Sequence, residues 1–254
     1  MIFFFSATGN SRYTAEKIAS AVGDTLVDIG DAYKRGQFEY DISRDEYLGF
    51  VLPTFAWTLP GIAAMFIEKL KLTGVSESQY VFGVFTCGES SGFESAAIRT
   101  LLDRRGIHFN GSFDLVMPDN FILWSSLPEK DSIEKALDSA DAQLDGIIEQ
   151  IRAKIPGKID TAPPKDLYMK TAHISTAAGT SKFFADESCV SCGLCERLCP
   201  MSCIKPGENR MPVWEGECTM CLSCLHRCPK AAIQHGTDTQ GKARYVNTRT
   251  AINQ

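Results

Sequence analysis

The chain has 254 residues, of which 44 % are hydrophobic and 22 % charged, a composition typical of globular protein with one large domain or two smaller ones. Its formal net charge of −5 and the lack of a basic cluster argue against nucleic-acid binding. No apolar run approaches the roughly 18 residues of a membrane-spanning helix, and residues 1–5 lead into a polar loop rather than an export signal. We therefore expect a cytoplasmic protein without a membrane span.

The first predicted unit is a strand, a loop rich in hydroxyl groups and a helix. Residues 1–5 form an apolar run typical of a strand buried on both faces. The helix is indicated by four apolar residues at helical spacing, Ala15, Ile18, Ala19 and Val22. Between them lies Ser6-Ala7-Thr8-Gly9-Asn10-Ser11, whose hydroxyls and helix-start N–H groups are suited to a phosphate. The alternative is a helix cap without a ligand.

This loop resembles the first loop of the flavodoxin family, which reads Ser/Thr-x-Thr-Gly-Asn-Thr/Ser and holds the phosphate of FMN. It lacks the Walker ending and the three-glycine dinucleotide spacing. The resemblance implies that five of its residues bind the FMN phosphate: Ser6, Thr8, Gly9, Asn10 and Ser11.

A second predicted strand, 47–52, runs into a loop with two aromatic residues between prolines. Such a loop suits the wall of a flat heterocycle, and in flavodoxins the corresponding loop shields the flavin ring. The predicted contacts are Pro53, Thr54, Phe55, Ala56 and Trp57. Trp57 is the first stacking candidate and Phe55 the second, whereas the alternative places Trp57 over the core beneath the loop.

The third strand, 80–86, opens into a loop of small polar residues and glycines before another helix. By the same resemblance, its backbone is expected to approach the polar edge of the flavin, with Cys87, Gly88, Glu89 and Gly92 as contacts. For Cys87, a small buried residue at the end of a strand is the competing interpretation. Glu89 is the ionisable residue of these loops, and a solvated turn carboxylate is its alternative role.

Residues 107–117 supply the last predicted strand, which Pro118-Asp119-Asn120 closes, and a long amphipathic helix follows up to Ile155. Strands that alternate with helices indicate an α/β fold. We predict a flavodoxin-like, doubly wound, parallel five-stranded sheet with the order 2-1-3-4-5, which gathers the three loops at one edge.

Three regions are expected: a flavodoxin-like FMN-binding domain over 1–155, a linker over 156–182 and a small α+β domain over 183–254. The linker is rich in Pro, Ala and Thr, a composition that permits docking of the domains without dictating it. Few contacts are expected to cross this passage. In the last region, Phe183-Phe184 is expected to pair with residues 243–246. The four histidines, none at ligand spacing, are assigned structural or solvent-facing positions.

Eight of the ten cysteines lie in the last region, in two copies of one pattern. Cys189-x-x-Cys192-x-x-Cys195-x-x-x-Cys199-Pro200 returns 29 residues later as Cys218-x-x-Cys221-x-x-Cys224-x-x-x-Cys228-Pro229. Structural zinc is usually held by two separated Cys-x-x-Cys pairs, and disulfide frameworks belong to small secreted chains. The pattern instead favours iron–sulfur clusters. Cys203 aligns with Ala232, which indicates a small, buried, non-ligand position.

The spacing resembles that of bacterial ferredoxins with two [4Fe–4S] clusters, in which the fourth cysteine of each run ligates the other cluster. The resemblance implies two ligand sets. The first is Cys189, Cys192, Cys195 and Cys228, and the second is Cys218, Cys221, Cys224 and Cys199. As a whole the chain resembles ferredoxins fused to an N-terminal flavodoxin-like domain, which implies one FMN and two clusters in one polypeptide.

The resemblance favours an electron-transfer protein that serves redox partner enzymes in anaerobic metabolism. The alternative is an FMN-dependent reductase of a small organic acceptor, fed by its own ferredoxin domain. No pairing of acid, base or nucleophile is visible in the loops, so we assign no catalytic residues and favour the carrier over the enzyme. An oxygen-sensing regulator is a third possibility, for which an attached DNA-binding segment would be expected.

Overall fold

The computed structural model describes residues 1–161 and 178–251. Its N-terminal part is built on a parallel sheet of five strands: β1 (Ile2–Phe4), β2 (Leu26–Asp28), β4 (Tyr47–Pro53), β6 (Tyr80–Cys87) and β7 (Gly111–Val116). Their order across the sheet is β2-β1-β4-β6-β7. Numbered within the sheet alone, the order is 2-1-3-4-5, which confirms the predicted flavodoxin-like doubly wound topology.

Helices cover both faces of this sheet. They are α1 (Asn10–Val22), α2 (Ile29–Arg35), α3 (Gly61–Lys69), α4 (Glu94–Asp103) and α5 (Lys130–Arg152). One apolar cluster joins the sheet to α2, α3 and α4, and a second joins its other face to α1 and α5. Burial on both faces explains why β4 and β6 are continuous apolar runs without alternation.

Several elements differ from the sequence-based expectation. The edge strand β2 and the helix α2 were not predicted, nor was a short parallel pair outside the sheet formed by β3 (Glu39–Asp41) and β5 (Lys71–Thr73). The last strand begins at Gly111 rather than at residue 107, and α5 ends at Arg152, so that Ile155 is 46 % exposed.

The cysteine-rich part repeats its own structure at the 29-residue offset found in the sequence. Helix α6 (Leu194–Leu198) corresponds to α7 (Ser223–His226), and strand β10 (Ile204–Pro206) corresponds to β13 (Ile233–His235). Left-handed backbone positions also recur in pairs at this offset: Ser191 with Met220, Gly193 with Leu222, and Ser202 with Ala231. Because the left-handed conformation is unfavourable for residues with a Cβ, its recurrence indicates one loop geometry used twice.

The strand pairing in this part corrects one expectation. Strand β9 (Phe183–Ala185) pairs antiparallel with β13, and not with residues 243–246 as predicted. Strand β10 pairs with β11 (Pro212–Trp214), and β12 (Glu217–Cys218) pairs with β8 (Ala178–Gly179). In the structure, residues 243–246 carry no strand assignment and lead toward the N-terminal part.

The two parts of the chain are in extensive contact, so the expectation that few contacts cross between them is wrong for the described residues. Ile122, from the loop after β7, packs in one apolar cluster with Phe183 and Leu225. His226 Nε2 lies 2.9 Å from the Asn120 carbonyl oxygen, and Lys34 Nζ donates to the Arg197 carbonyl at 2.7 Å.

The described ends of the predicted linker each pack on a neighbouring element. Lys158 forms a β-bridge with Ser112 of the sheet, whereas β8 pairs within the cysteine-rich part. Residues 162–177, and with them His173, lie outside the described residues. The boundaries at residues 155 and 182 stay a prediction.

Candidate functional site

The first cysteine group lines a pocket at the protein surface. The wall contains Cys189, Cys192 and Cys195 from the first run together with Cys228 from the second. The first three alternate with left-handed residues at Ser191 and Gly193, which turn the chain around the pocket. The fold thus gathers the four sulfurs that the resemblance assigned to one cluster.

The second cysteine group lies deeper and contains the other four predicted ligands. Cys199 packs with Cys218 and Cys224, and Cys221 also lies within electrostatic range of Cys199. The fourth cysteine of each run therefore approaches the other run. A crossed arrangement of two fourfold thiol groups fits two four-iron clusters, because each group offers one sulfur for each iron.

Cys203 is buried, as predicted, but it directly adjoins the second group. Its sulfur lies 3.4 Å from Cys199 Sγ, and its side chain is 5 % exposed. The aligned residue Ala232 is fully buried, which agrees with a small apolar position in both repeats.

Burial lowers the acidity of a thiol in each group. It raises the pKa of Cys195 to about 11 and that of Cys221 to about 12. A thiol with such a raised pKa is protonated near neutral pH unless a cationic centre compensates the charge of the thiolate, and bound iron would provide that centre. Among residues 1–161 and 178–251, no three side chains of His, Cys, Asp or Glu lie close enough together to bind one metal ion between them.

The predicted phosphate loop lies between β1 and α1. Gly9 caps the helix with φ 107°, a conformation that glycine adopts readily, and its N–H donates to Ser6 Oγ at 3.1 Å. Thr8 and Ser11 are almost fully buried, and Ser11 Oγ lies 2.8 Å from Thr86 Oγ1 on β6. The first N–H groups of a 13-residue helix have no partner within it, so they suit an anion such as the FMN phosphate.

The side chain of Asn10 is engaged elsewhere, which restricts its predicted role. Its Nδ2 donates to the Pro118 carbonyl at 3.3 Å, and its Oδ1 accepts two hydrogen bonds from residues near the C-terminus. Its backbone N–H at the helix start is the group suited to a phosphate.

The loop after β4 presents Trp57 to solvent. Phe55 and Thr58 exchange backbone hydrogen bonds around Ala56 and Trp57, which both adopt positive φ. Trp57 is 57 % exposed, so the alternative of a core position for Trp57 is wrong. Phe55 instead packs toward the core, with its ring 6.4 Å from that of Phe5.

The loop after β6 contacts the loop after β4. The Trp57 carbonyl accepts the Phe93 N–H at 2.8 Å, and a Cβ on Gly92 would lie 2.5 Å from Trp57 Cβ. Only glycine allows this approach. Gly88 and Glu89 are exposed, whereas Cys87 is buried, which raises the pKa of Cys87 to about 12. Cys87 therefore behaves as a small apolar residue at the end of a strand.

A buried carboxyl beneath these loops was missed from sequence. Glu94 is fully buried at the start of α4 and accepts a hydrogen bond from Thr54 Oγ1 at 2.6 Å. Its other oxygen has no hydrogen-bond partner, and burial raises its pKa well above the ordinary value. Asp114, which accepts from Ser91 Oγ at 2.6 Å, adds to this effect. The sequence feature that could have indicated this carboxyl is an acidic residue in the first turn of a helix that follows a glycine-rich loop.

The loop after β7 is a further part of the candidate site to which the sequence assigned no role. Asn120 Nδ2 donates to Thr8 Oγ1 at 3.1 Å, which ties this loop to the predicted phosphate loop. Trp124 is 73 % exposed and stands edge-on to Phe121, with ring centroids 4.9 Å apart. These two aromatic residues could have indicated, from the sequence, a second aromatic wall for a flat ligand at this edge of the sheet.

Within the described ranges, no helix is both long and apolar enough to cross a membrane.

No protein-family model matches the chain. One component of the Na⁺-translocating ferredoxin:NAD⁺ oxidoreductase complex of Acetobacterium woodii is 34 % identical over 81 residues, which make up 30 % of this chain and 24 % of that protein. Ferredoxin-1 of Caulobacter vibrioides is 29 % identical over 66 residues, 25 % of this chain and 58 % of that protein. The chain thus spans less than two thirds of either curated relative.

Among solved structures, the two-electron reduced flavodoxin of Megasphaera elsdenii superposes with a TM-score of 0.33 at 18 % identity, over 45 % of this chain and 85 % of that one. The chain combines a flavodoxin-like sheet, defined by its own strand order, with a ferredoxin-type cysteine region.

Proposed function

We propose that the chain is an electron-transfer protein that holds two [4Fe–4S] clusters and one FMN and serves redox partner proteins. The observation that carries the proposal is the crossed grouping of the eight motif cysteines into two sets of four. When bound, the clusters supply one-electron transfer, and FMN supplies a centre that takes one electron or two. The protein positions the three sites and controls which of them partners reach.

The second cysteine group is proposed as the relay toward the flavin loops. Cys221 and Met201 pack against the apolar cluster beneath α3, and Thr219 Oγ1 accepts the Ile62 N–H at 3.4 Å. Ile62 lies in the first turn of α3, directly after the loop that carries Trp57. This contact places the cysteine loop against the helix that follows one predicted flavin wall.

The first cysteine group is proposed as the docking site for redox partners. Cys192 is exposed, and the pocket wall reaches the surface beside three exposed cationic residues, Lys205, Arg210 and Lys230, and one half-buried acidic residue, Glu196. A cationic rim around an exposed redox site favours partners with an acidic surface and speeds their encounter at low salt.

Metal and flavin analysis of anaerobically purified protein tests the proposal. About eight irons and one FMN are expected per chain, with an absorption spectrum that dithionite bleaches. Zinc in place of iron after anaerobic reconstitution would overturn the cluster assignment, and iron without flavin would overturn the FMN assignment alone.

A second candidate function is an FMN-dependent reductase of a small organic acceptor. The exposed side chains of Trp57 and Trp124 favour it, because loops that leave aromatic surface open to solvent also admit a flat molecule. Oxidation of the reduced protein by a quinone distinguishes the two functions. Saturation at low quinone concentration supports the reductase, whereas a rate linear in quinone supports the carrier.

A further inference from the structure

The last described segment, 245–250, returns to the N-terminal part and lies against the predicted phosphate loop. Tyr245 Oη donates to Asn10 Oδ1 at 2.7 Å, and Asn247 Nδ2 donates to the same oxygen at 3.1 Å. The Asn247 backbone N–H donates to the Thr8 carbonyl at 2.8 Å. Tyr245 is 4 % and Asn247 1 % exposed. We call this segment the C-terminal strap.

The strap is anchored beyond the loop as well. Arg249 forms ion pairs with Asp138 and Asp141 on α5, the first at 2.5 Å. Thr250 Oγ1 donates to Glu16 Oε2 on α1 at 2.6 Å. At its other end, the Tyr245 N–H donates to His226 Nδ1 at 3.1 Å, inside the cysteine-rich part. The strap therefore links the second cysteine run, which contains His226, to the helices α1 and α5.

The strap contacts do not use the N–H groups at the start of α1, although residues 8–11 are buried in this arrangement. The strap bonds to acceptors, namely the Thr8 carbonyl and the Asn10 side-chain oxygen. The N–H groups at the start of α1 are donors, and none of the strap contacts uses them. Because the strap holds the carbonyl of Thr8, it also fixes the peptide plane on which the next N–H, that of Gly9, lies.

We propose that Tyr245 and Asn247 are positioning residues for FMN, and that the strap holds the loop in the conformation that binds the phosphate. The inference rests on the proposed function and extends it, because tight FMN binding then requires the cysteine-rich part to be docked. A loop fixed before the ligand arrives does not lose conformational entropy on binding, so affinity rises without a direct contact to FMN.

The test compares two double variants of the full chain. Tyr245→Phe with Asn247→Ala removes both side-chain hydrogen bonds to Asn10. The matched control, Val246→Ala with Thr248→Ala, changes exposed residues of the same strap. FMN affinity is measured anaerobically by quenching of flavin fluorescence, with iron content as the check on folding. Two lost hydrogen bonds predict binding weaker by about tenfold or more, and the control should stay within about twofold of wild type.

Unchanged affinity in an iron-replete Tyr245→Phe/Asn247→Ala variant would overturn the inference. Tighter binding would also overturn it, since the strap would then be a plug. Wild-type protein that binds no FMN would instead defeat the proposed function.

A second measurement needs no variant. Since coupling is reciprocal, FMN should slow hydrogen exchange of the Asn247 amide in wild-type protein. Unchanged exchange in the presence of bound FMN would contradict the coupling.

Discussion

Cys203 and Cys199 are neighbouring thiols for which the sequence predicts different roles. Their sulfurs lie 3.4 Å apart, yet only Cys199 is in the repeated motif, where it corresponds to Cys228. The repeat predicted a small buried position for Cys203, which corresponds to Ala232, and both residues are buried. That Cys203 is not a ligand stays a prediction. The short distance between the sulfurs could not be predicted from the sequence, because it depends on the path of the chain between Cys199 and β10.

Cysteine variants test the crossed ligation. Cys199→Ala and Cys221→Ala should damage the same cluster and spare the other, because both sulfurs belong to the second group. Cys203→Ala and Cys87→Ala should keep both clusters. Electron paramagnetic resonance that separates the two clusters provides the measurement. Damage to different clusters by Cys199→Ala and Cys221→Ala would refute the arrangement, and loss of a cluster in Cys203→Ala would refute the repeat alignment.

Glu94 predicts a pH dependence of stability. In the unfolded chain its pKa is about 4.3, whereas burial raises the pKa in the folded protein. The folded state therefore keeps its proton to higher pH, and this carboxyl lowers stability progressively as pH rises above the unfolded value.

Glu94→Gln removes this titration and keeps an acceptor for Thr54. Wild type loses stability as pH rises, whereas the variant lacks this loss. The free energy of unfolding of the variant minus that of wild type should therefore increase by up to about 1.4 kcal/mol per pH unit, until the carboxyl of folded wild type ionises. Anaerobic urea unfolding at several pH values between 5 and 8 measures the difference. A difference that does not change with pH would show that Glu94 is ionised in the folded state.

At the scale of elements, the long buried strands were predictable and the short exposed ones were not. Strands β4 and β6 are continuous apolar runs because helices cover both faces. Strand β2 has three residues, none of them fully buried, so its sequence shows no strand pattern. Residues 243–246 were assigned to a strand, but Tyr245 is instead buried against the other part of the chain and donates to Asn10 there.

In the loops at the carboxyl edge of the sheet, we expect a substitution to affect FMN binding without affecting the stability of the fold. Trp57→Ala should weaken FMN binding and shift the flavin potential, since it removes the predicted stacking partner. Because Trp57 is 57 % exposed, the free energy of unfolding without FMN should change by no more than about 0.5 kcal/mol.

Trp124→Ala is the matched comparison, on the exposed tryptophan of the loop after β7. Flavin titration and thermal unfolding are measured on both variants. Strong destabilisation of the flavin-free Trp57→Ala protein would indicate a core role for Trp57 instead.

At the scale of the whole molecule, docking between the two parts could not be predicted from sequence. Partners such as Tyr245 and Asn10 are 235 positions apart, and neither lies in a pattern that points to the other. The composition of the linker permits docking without requiring it. In the structure, apolar packing at Ile122 and the strap contacts hold the parts together.

Cleavage between the two parts should therefore leave them associated. A protease site inserted between residues 162 and 177 lies outside the described elements and severs the connection. The cut protein should elute as one species and retain both kinds of cofactor, because the contacts do not depend on the connection. Separation of the fragments at micromolar concentration would contradict the docked arrangement.

The central claim, that clusters and flavin act within one chain, is tested by the kinetics of flavin reduction. A reduced donor too bulky to reach the flavin loops is mixed anaerobically with excess oxidised protein, so that the clusters are reduced first. Docking fixes the sites relative to one another, so FMN reduction should follow first-order kinetics with a rate constant unchanged on tenfold dilution. A rate constant that falls in proportion to protein concentration would show that electrons pass between molecules and would contradict the account.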